Sequence, residues 1–160
     1  MLDKIEEMLK STVTEVFQTM LRMEIRAIPF APETITDETH VAGSVGFIGD
    51  LTGVVYIYCS AGFARQVTGV VLGLSADEVE GEELVNDSMG ELANMITGGL
   101  KTKLVHQGHS CVLTIPSIVR GSHFSIEATS STTRRVMCFR CQDSGNLVVE
   151  ILIKPAEGRD

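Results

Sequence analysis

Glu91 and Asn94 stand three residues apart in Asp87-Ser88-Met89-Gly90-Glu91-Leu92-Ala93-Asn94, inside a stretch whose apolar spacing is helical. An amide donates and accepts hydrogen bonds at once but is no strong base at neutral pH, so Asn94 could serve a reaction only through orientation. At about 100° per residue, Glu91, Asn94, Gly98 and Lys101 fall within roughly 40° of Asp87 on one side of the helix. Val85, Met89, Leu92, Ile96 and Leu100 cluster at roughly 140° to 220°, on the other side. The pair therefore faces away from the core.

Polar residues on the outer face of a helix are ordinary, and a Glu with an Asn is commonly just solvated surface. The residue types argue for more. Asn competes for backbone hydrogen bonds, and Gly90, Gly98 and Gly99 each cost about 1 kcal/mol relative to Ala in a helix interior. A solvated face has no need of them, whereas a face that another backbone must approach closely does.

Other chemistries find little support. No Gly-x-x-x-x-Gly-Lys or Gly-x-Gly-x-x-Gly loop occurs, and Ser60, Ser88 and Ser110 lack a Gly-x-Ser-x-Gly setting. Cys138 and Cys141 have the spacing of a redox pair or half a zinc site, but residues three apart in a strand point to opposite faces. Cys59 and Cys111 supply no second pair, so buried thiols are expected. His106 and His109 have no matching local ligands and are read as loop and helix-end residues, and no metal site is assigned.

These residues need a scaffold, and 160 residues at 44% hydrophobic can bury a sizeable core, so one domain over residues 1–160 is expected. With 13 basic against 21 acidic residues and a formal charge of -8, neither nucleic acid nor a membrane surface is an expected partner. No run of about 20 apolar residues exists and the N-terminus is too charged for a signal peptide, which predicts a cytoplasmic protein. Ile5, Met8, Leu9, Val13, Val16, Met20 and Leu21 predict a first long helix. Residues 41–48 and 51–59 read as a hairpin turning at Gly49-Asp50. Ser60 caps a helix ending near Gly73, Ser75 to Glu78 has the form of a capping box, and the motif helix runs from about Glu82 to Val105. Strands are then predicted over 111–119, 122–128, 136–141 and 147–153, the last two joined through Asp143-Ser144-Gly145-Asn146. Pro29 to Glu38, with two prolines and three acidic residues, reads as a surface connection long enough to serve as an interaction arm. Partly segregated helices and antiparallel strands imply an α+β sandwich with helices on one sheet face.

The pattern of Asp or Ser, three residues, Glu, two residues, Asn resembles the motif of the CheC/CheX/FliY phosphatases of bacterial chemotaxis, and Asp87, Glu91 and Asn94 match it fully. The stretch from Gly90 to Lys101 is similar to the family's helix, and the order of elements is similar along nearly the whole chain. Having one Glu-x-x-Asn and not two, the chain looks like the CheX branch. The resemblance implies a CheC-like α+β fold and hydrolysis of the aspartyl phosphate of a CheY-type response regulator, with magnesium supplied by that regulator and no cofactor of the chain's own. It also implies that Asn94 orients the attacking water, that Glu91 pairs with a lysine of the regulator, and that the chain forms homodimers through its sheets. Asp87, Gly90, Gly98 and Lys101 are then candidate contacts to the regulator, the glycines as clearance. A noncatalytic module that docks a response regulator or flagellar switch component would use the same helix face, and a redox or metal sensor at Cys138 and Cys141 is a third alternative.

Overall fold

The computed structural model describes residues 1–29, 38–122, 124–129, 131–142 and 145–154. Helix α1, Leu2–Thr19, buries Ile5, Leu9, Val13 and Phe17, one side chain per turn, as the apolar spacing predicts. Strand β1, Ile25–Ile28, follows it and was not anticipated from the sequence. Strands β2, His40–Gly49, and β3, Thr52–Ser60, form the expected hairpin. At the end of β3, Ser60 accepts a hydrogen bond from Phe63 N at 3.2 Å and opens helix α2, Ala61–Leu72. Gly73 closes that helix with φ 72, a left-handed conformation suited to glycine. The predicted capping box starts a short 3-10 turn, Ala76–Glu78, in which Ser75 N donates to Glu78 Oε1 at 3.0 Å. Helix α3, Glu82–His106, carries the motif.

The expected strand over 111–119 is divided into β4, Cys111–Leu113, and β5, Ser117–Gly121. Pro116 lies in the break, where its missing N–H would have interrupted a continuous ladder. A second correction concerns residues 122–128: the described residues of that span form no strand. Phe124 and Ile126 instead pack against the sheet, with the Phe124 ring edge-on to Tyr58 at 5.6 Å. Strands β6, Thr133–Cys141, and β7, Gly145–Lys154, are the predicted final pair, with Gly145 and Asn146 already in β7 opposite Cys141 and Arg140. Most of the Pro29 to Glu38 connection, residues 30–37, lies outside the described residues, as do Asp143 and Ser144.

All pairings are antiparallel, in the order β1-β6-β7-β3-β2-β4, with β5 also paired to β2. Val41, Val45 and Phe47 of β2, Val55 and Ile57 of β3, and Leu147, Val149 and Ile151 of β7 join the apolar faces of α1, α2 and α3 in one core. Alternate residues form a row across the far face: Val119, Ala42, Tyr58, Val148, Cys138 and Ile28 are successive cross-strand neighbours. The far face also buries a carboxylate, Glu150, at 1% exposure. Tyr58 Oη donates to Glu150 Oε1 at 2.9 Å and Arg134 Nη2 donates to the same oxygen at 2.7 Å, the partners such a group requires. The architecture is the α+β arrangement expected, with three helices against one face of the sheet. No helix among the described residues is long and apolar enough to cross a membrane.

Candidate functional site

Helix α3 packs mainly on β2, the strand next to the β4 and β5 edge, and a glycine of β2 lets it approach closely. A Cβ built on Gly43 would lie 3.0 Å from Met89 O and 3.2 Å from Ala93 Cβ, so the helix backbone rests where a side chain would otherwise stand. Val85, Met89, Leu92, Ile96 and Leu100 are each no more than 4% exposed, as the helical wheel requires. On the opposite side Asp87 and Glu91 are exposed, and Asn94, Gly98 and Lys101 are half-buried. Among the described residues, Asp87, Glu91 and Asn94 make no hydrogen bond or ion pair with another side chain, leaving the carboxylate and the amide available to an outside group.

The helix that presents them is held at both ends. Near its start, Asn86 Oδ1 accepts a hydrogen bond from Arg120 Nη2 of β5 at 2.7 Å, and Arg120 Nε lies 3.6 Å from Glu82 Oε2. Near its end, Lys103 Nζ donates to Thr12 Oγ1 at 2.9 Å and pairs with Glu15 Oε1 at 3.0 Å, both on α1. Sequence reading singled out neither Asn86 nor Arg120. They are 34 residues apart, so no local spacing could join them.

The three glycines of the motif region have three different surroundings. Apart from the surrounding backbone of its own helix, Gly98 has no atom within 4 Å of a Cβ built on it, consistent with an open approach. Gly99 abuts α1, where a Cβ would come within 2.5 Å of Thr12 Cγ2. Gly90 is buried beside the connection between β4 and β5, and a Cβ there would make ordinary contact with Pro116 Cβ at 3.5 Å. The clearance at Gly90 and Gly99 thus faces the protein's own elements, and that at Gly98 faces outward.

The remaining candidates do not converge. Cys141 points into the helix-side core and Cys138 into the far-face cluster, so the two thiols lie on opposite sides of β6. His106 is the exposed last residue of α3, and His109 N donates to Leu104 O at 2.9 Å just beyond it. No three His, Cys, Asp or Glu side chains among the described residues are placed to hold one metal ion. Burial pushes the Cys59 thiol up to about 12, the mark of an inert core thiol.

Comparison with known proteins bears on this helix and its sheet. A family model described as the chemotaxis phosphatase CheX matches residues 41–140. The CheY-P phosphatase CheX of Thermotoga maritima is 29% identical over 85 residues, covering 52% of this chain and 54% of that protein, so the chain spans about half the length of this curated relative. The crystal structure of the chemotaxis protein CheX from Vibrio vulnificus superposes with a TM-score of 0.79 at 26% identity, covering 94% of this chain and 97% of that one. The CheX of a CheX–CheY–BeF3–Mg complex from Borrelia burgdorferi shares the fold, with a TM-score of 0.75 at 22% identity over 94% of this chain and 97% of that one.

Proposed function

The chain belongs to the CheX family of chemotaxis phosphatases, and from that premise we propose that it hydrolyses the aspartyl phosphate of a CheY-type response regulator to end a chemotactic signal. The observation that carries this reading is an exposed Glu91 and a half-buried Asn94 without internal partners, one turn apart on a helix braced at both ends.

An acyl phosphate is already activated, so the reaction asks mainly for a water in line with phosphorus. Docked against the regulator, the Asn94 amide accepts a hydrogen bond from that water through Oδ1 and donates from Nδ2, holding its oxygen toward the phosphorus. Water oxygen bonds to phosphorus, the bond to the aspartyl oxygen breaks, and inorganic phosphate leaves a free carboxylate on the regulator. Glu91 pairs with the regulator's lysine and sets the depth of approach. Magnesium comes with the regulator. Asp87 and Lys101 flank the contact, and Gly98 leaves room for the incoming backbone.

The T. maritima relative is named as a CheY-P phosphatase and the B. burgdorferi one was solved with CheY, which supports the same partner here. A homodimer through the sheets, which the family resemblance implies, would appear as a dimer in sedimentation. The decisive assay follows decay of the phosphorylated regulator with stoichiometric and then substoichiometric protein. Acceleration with multiple turnovers is the expected result. Binding with unchanged decay would leave a docking module in place of an enzyme.

A further inference from the structure

Ile115, in the three-residue connection between β4 and β5, is 84% exposed, more than any other large apolar side chain described. Single exposed apolar residues are common on soluble proteins and by themselves mean little. Ile115 differs because both of its neighbours are pinned. Thr114 N donates to Gly46 O at 2.9 Å, and Thr114 Oγ1 accepts from Gly46 N at 2.8 Å, so the residue before it is locked to β2. The residue after it is Pro116, which fixes its own φ, biases Ile115 toward extended backbone and packs beside Gly90. A hydrophobic side chain is therefore held out to solvent on a stiff support.

Its position adds the second half of the inference. Along β4, Cys111 and Leu113 belong to the helix-side core, and after the break Ile118 does so again. Pro116 and Ile118 border Gly90 of α3, the residue next to Glu91. A standard interface of about 800 Å² per partner, centred on Glu91, would extend roughly 16 Å in each direction and so cover this connection. Buried aromatic or aliphatic anchors presented rigidly lose little conformational entropy on binding and carry much of an interface's energy.

We infer that Ile115 is the apolar anchor by which the phosphorylated receiver domain docks beside the motif helix, a contact for affinity that takes no part in the chemistry. This inference rests on the reading of Glu91 and Asn94 as the regulator-facing pair. It commits to the receiver domain as occupant because Pro116 and Ile118 border Gly90, so the connection adjoins the stretch of α3 that carries Glu91 and Asn94.

The test uses the full chain with a CheY-type regulator of the same genome, both phosphorylated and as its trifluoroberyllate–magnesium form. In I115D, KM and Kd should rise about tenfold or more, the scale of losing one apolar side chain from a desolvated contact, with kcat within twofold and the melting temperature unchanged. Val112 is a control on the same sheet edge, 64% exposed but paired with Ile48 on the far face. V112D should leave KM and Kd unchanged. Unchanged Kd in I115D, or an equal rise in V112D, overturns the proposal. Wild-type protein that binds the regulator without turnover would remove the phosphatase reading, while the I115D Kd would still decide the anchor. Wild-type protein that does neither would overturn both.

Discussion

Asn86 and Asn94 lie on the same helix about two turns apart, and their amides have opposite fates. Asn86 Oδ1 accepts a hydrogen bond from Arg120, which joins α3 to β5, whereas Asn94 has no partner among the described residues. Gly98 and Gly99 repeat the contrast at adjacent positions, one open and one pressed against Thr12 of α1. On a folded chain, a group whose bonding capacity is consumed internally contributes to stability, and one left unengaged on a rigid element is available to a partner. Helix α3 carries both kinds.

The largest expected consequence is kinetic. Asn94→Ala should slow turnover of the phosphorylated regulator about 100-fold or more, since orientation of the attacking group is lost, with folding stability within about 0.5 kcal/mol of wild type. Asn86→Ala should do the reverse in a urea melt, losing about 1–2 kcal/mol while retaining turnover, because Arg120 Nη2 loses its acceptor and only the pairing of Arg120 with Glu82 remains. Were Asn94→Ala to unfold the protein instead, the amide would belong to the fold.

Next in size are the glycines. Gly99→Ala should destabilise by about 1–3 kcal/mol as the new methyl meets Thr12. Gly98→Ala should stabilise by up to about 1 kcal/mol, yet raise KM by crowding the partner. An unchanged KM would place the regulator elsewhere. A smaller effect is expected on the far face, where Tyr58→Phe removes one donor to the buried Glu150. Thermal unfolding should register about 1 kcal/mol, with no change in turnover.

The last prediction concerns pH. Burial pushes the Cys59 thiol up to about 12, and it raises those of Cys111 and Cys141 as well. A raised folded-state value means that the thiols' contribution is fully present below the unfolded-state value, near 8.5, and is lost as pH climbs toward 12. Urea midpoints should therefore fall between pH 9 and 11, and Cys59→Val should flatten that fall.

Much of this molecule could be read from neighbouring residues. The apolar stripe of α3, the Ser60 cap with its Gly73 terminator, and the hairpin from His40 to Ser60 all rest on interactions within a few residues. The misreadings share a different cause. Phe124 and Ile126 are half-buried with Ser125 and Glu127 exposed, the same alternation that a paired strand would show, yet the segment lies over the sheet and joins no described strand ladder. β1 has only four residues and becomes a strand because β6 offers it an edge.

By itself, the sequence determined that Glu91 and Asn94 would stand on the polar side of an amphipathic helix, since helical periodicity is a property of the covalent chain. Tertiary structure alone decided that Asn86 would be engaged by Arg120, that Gly99 would abut α1 while Gly98 stayed open, and that Ile115 would be held out beside the motif. The reason is that a polar group or a clearance becomes structural or free according to what a distant segment brings against it, and that juxtaposition exists only once the sheet has assembled.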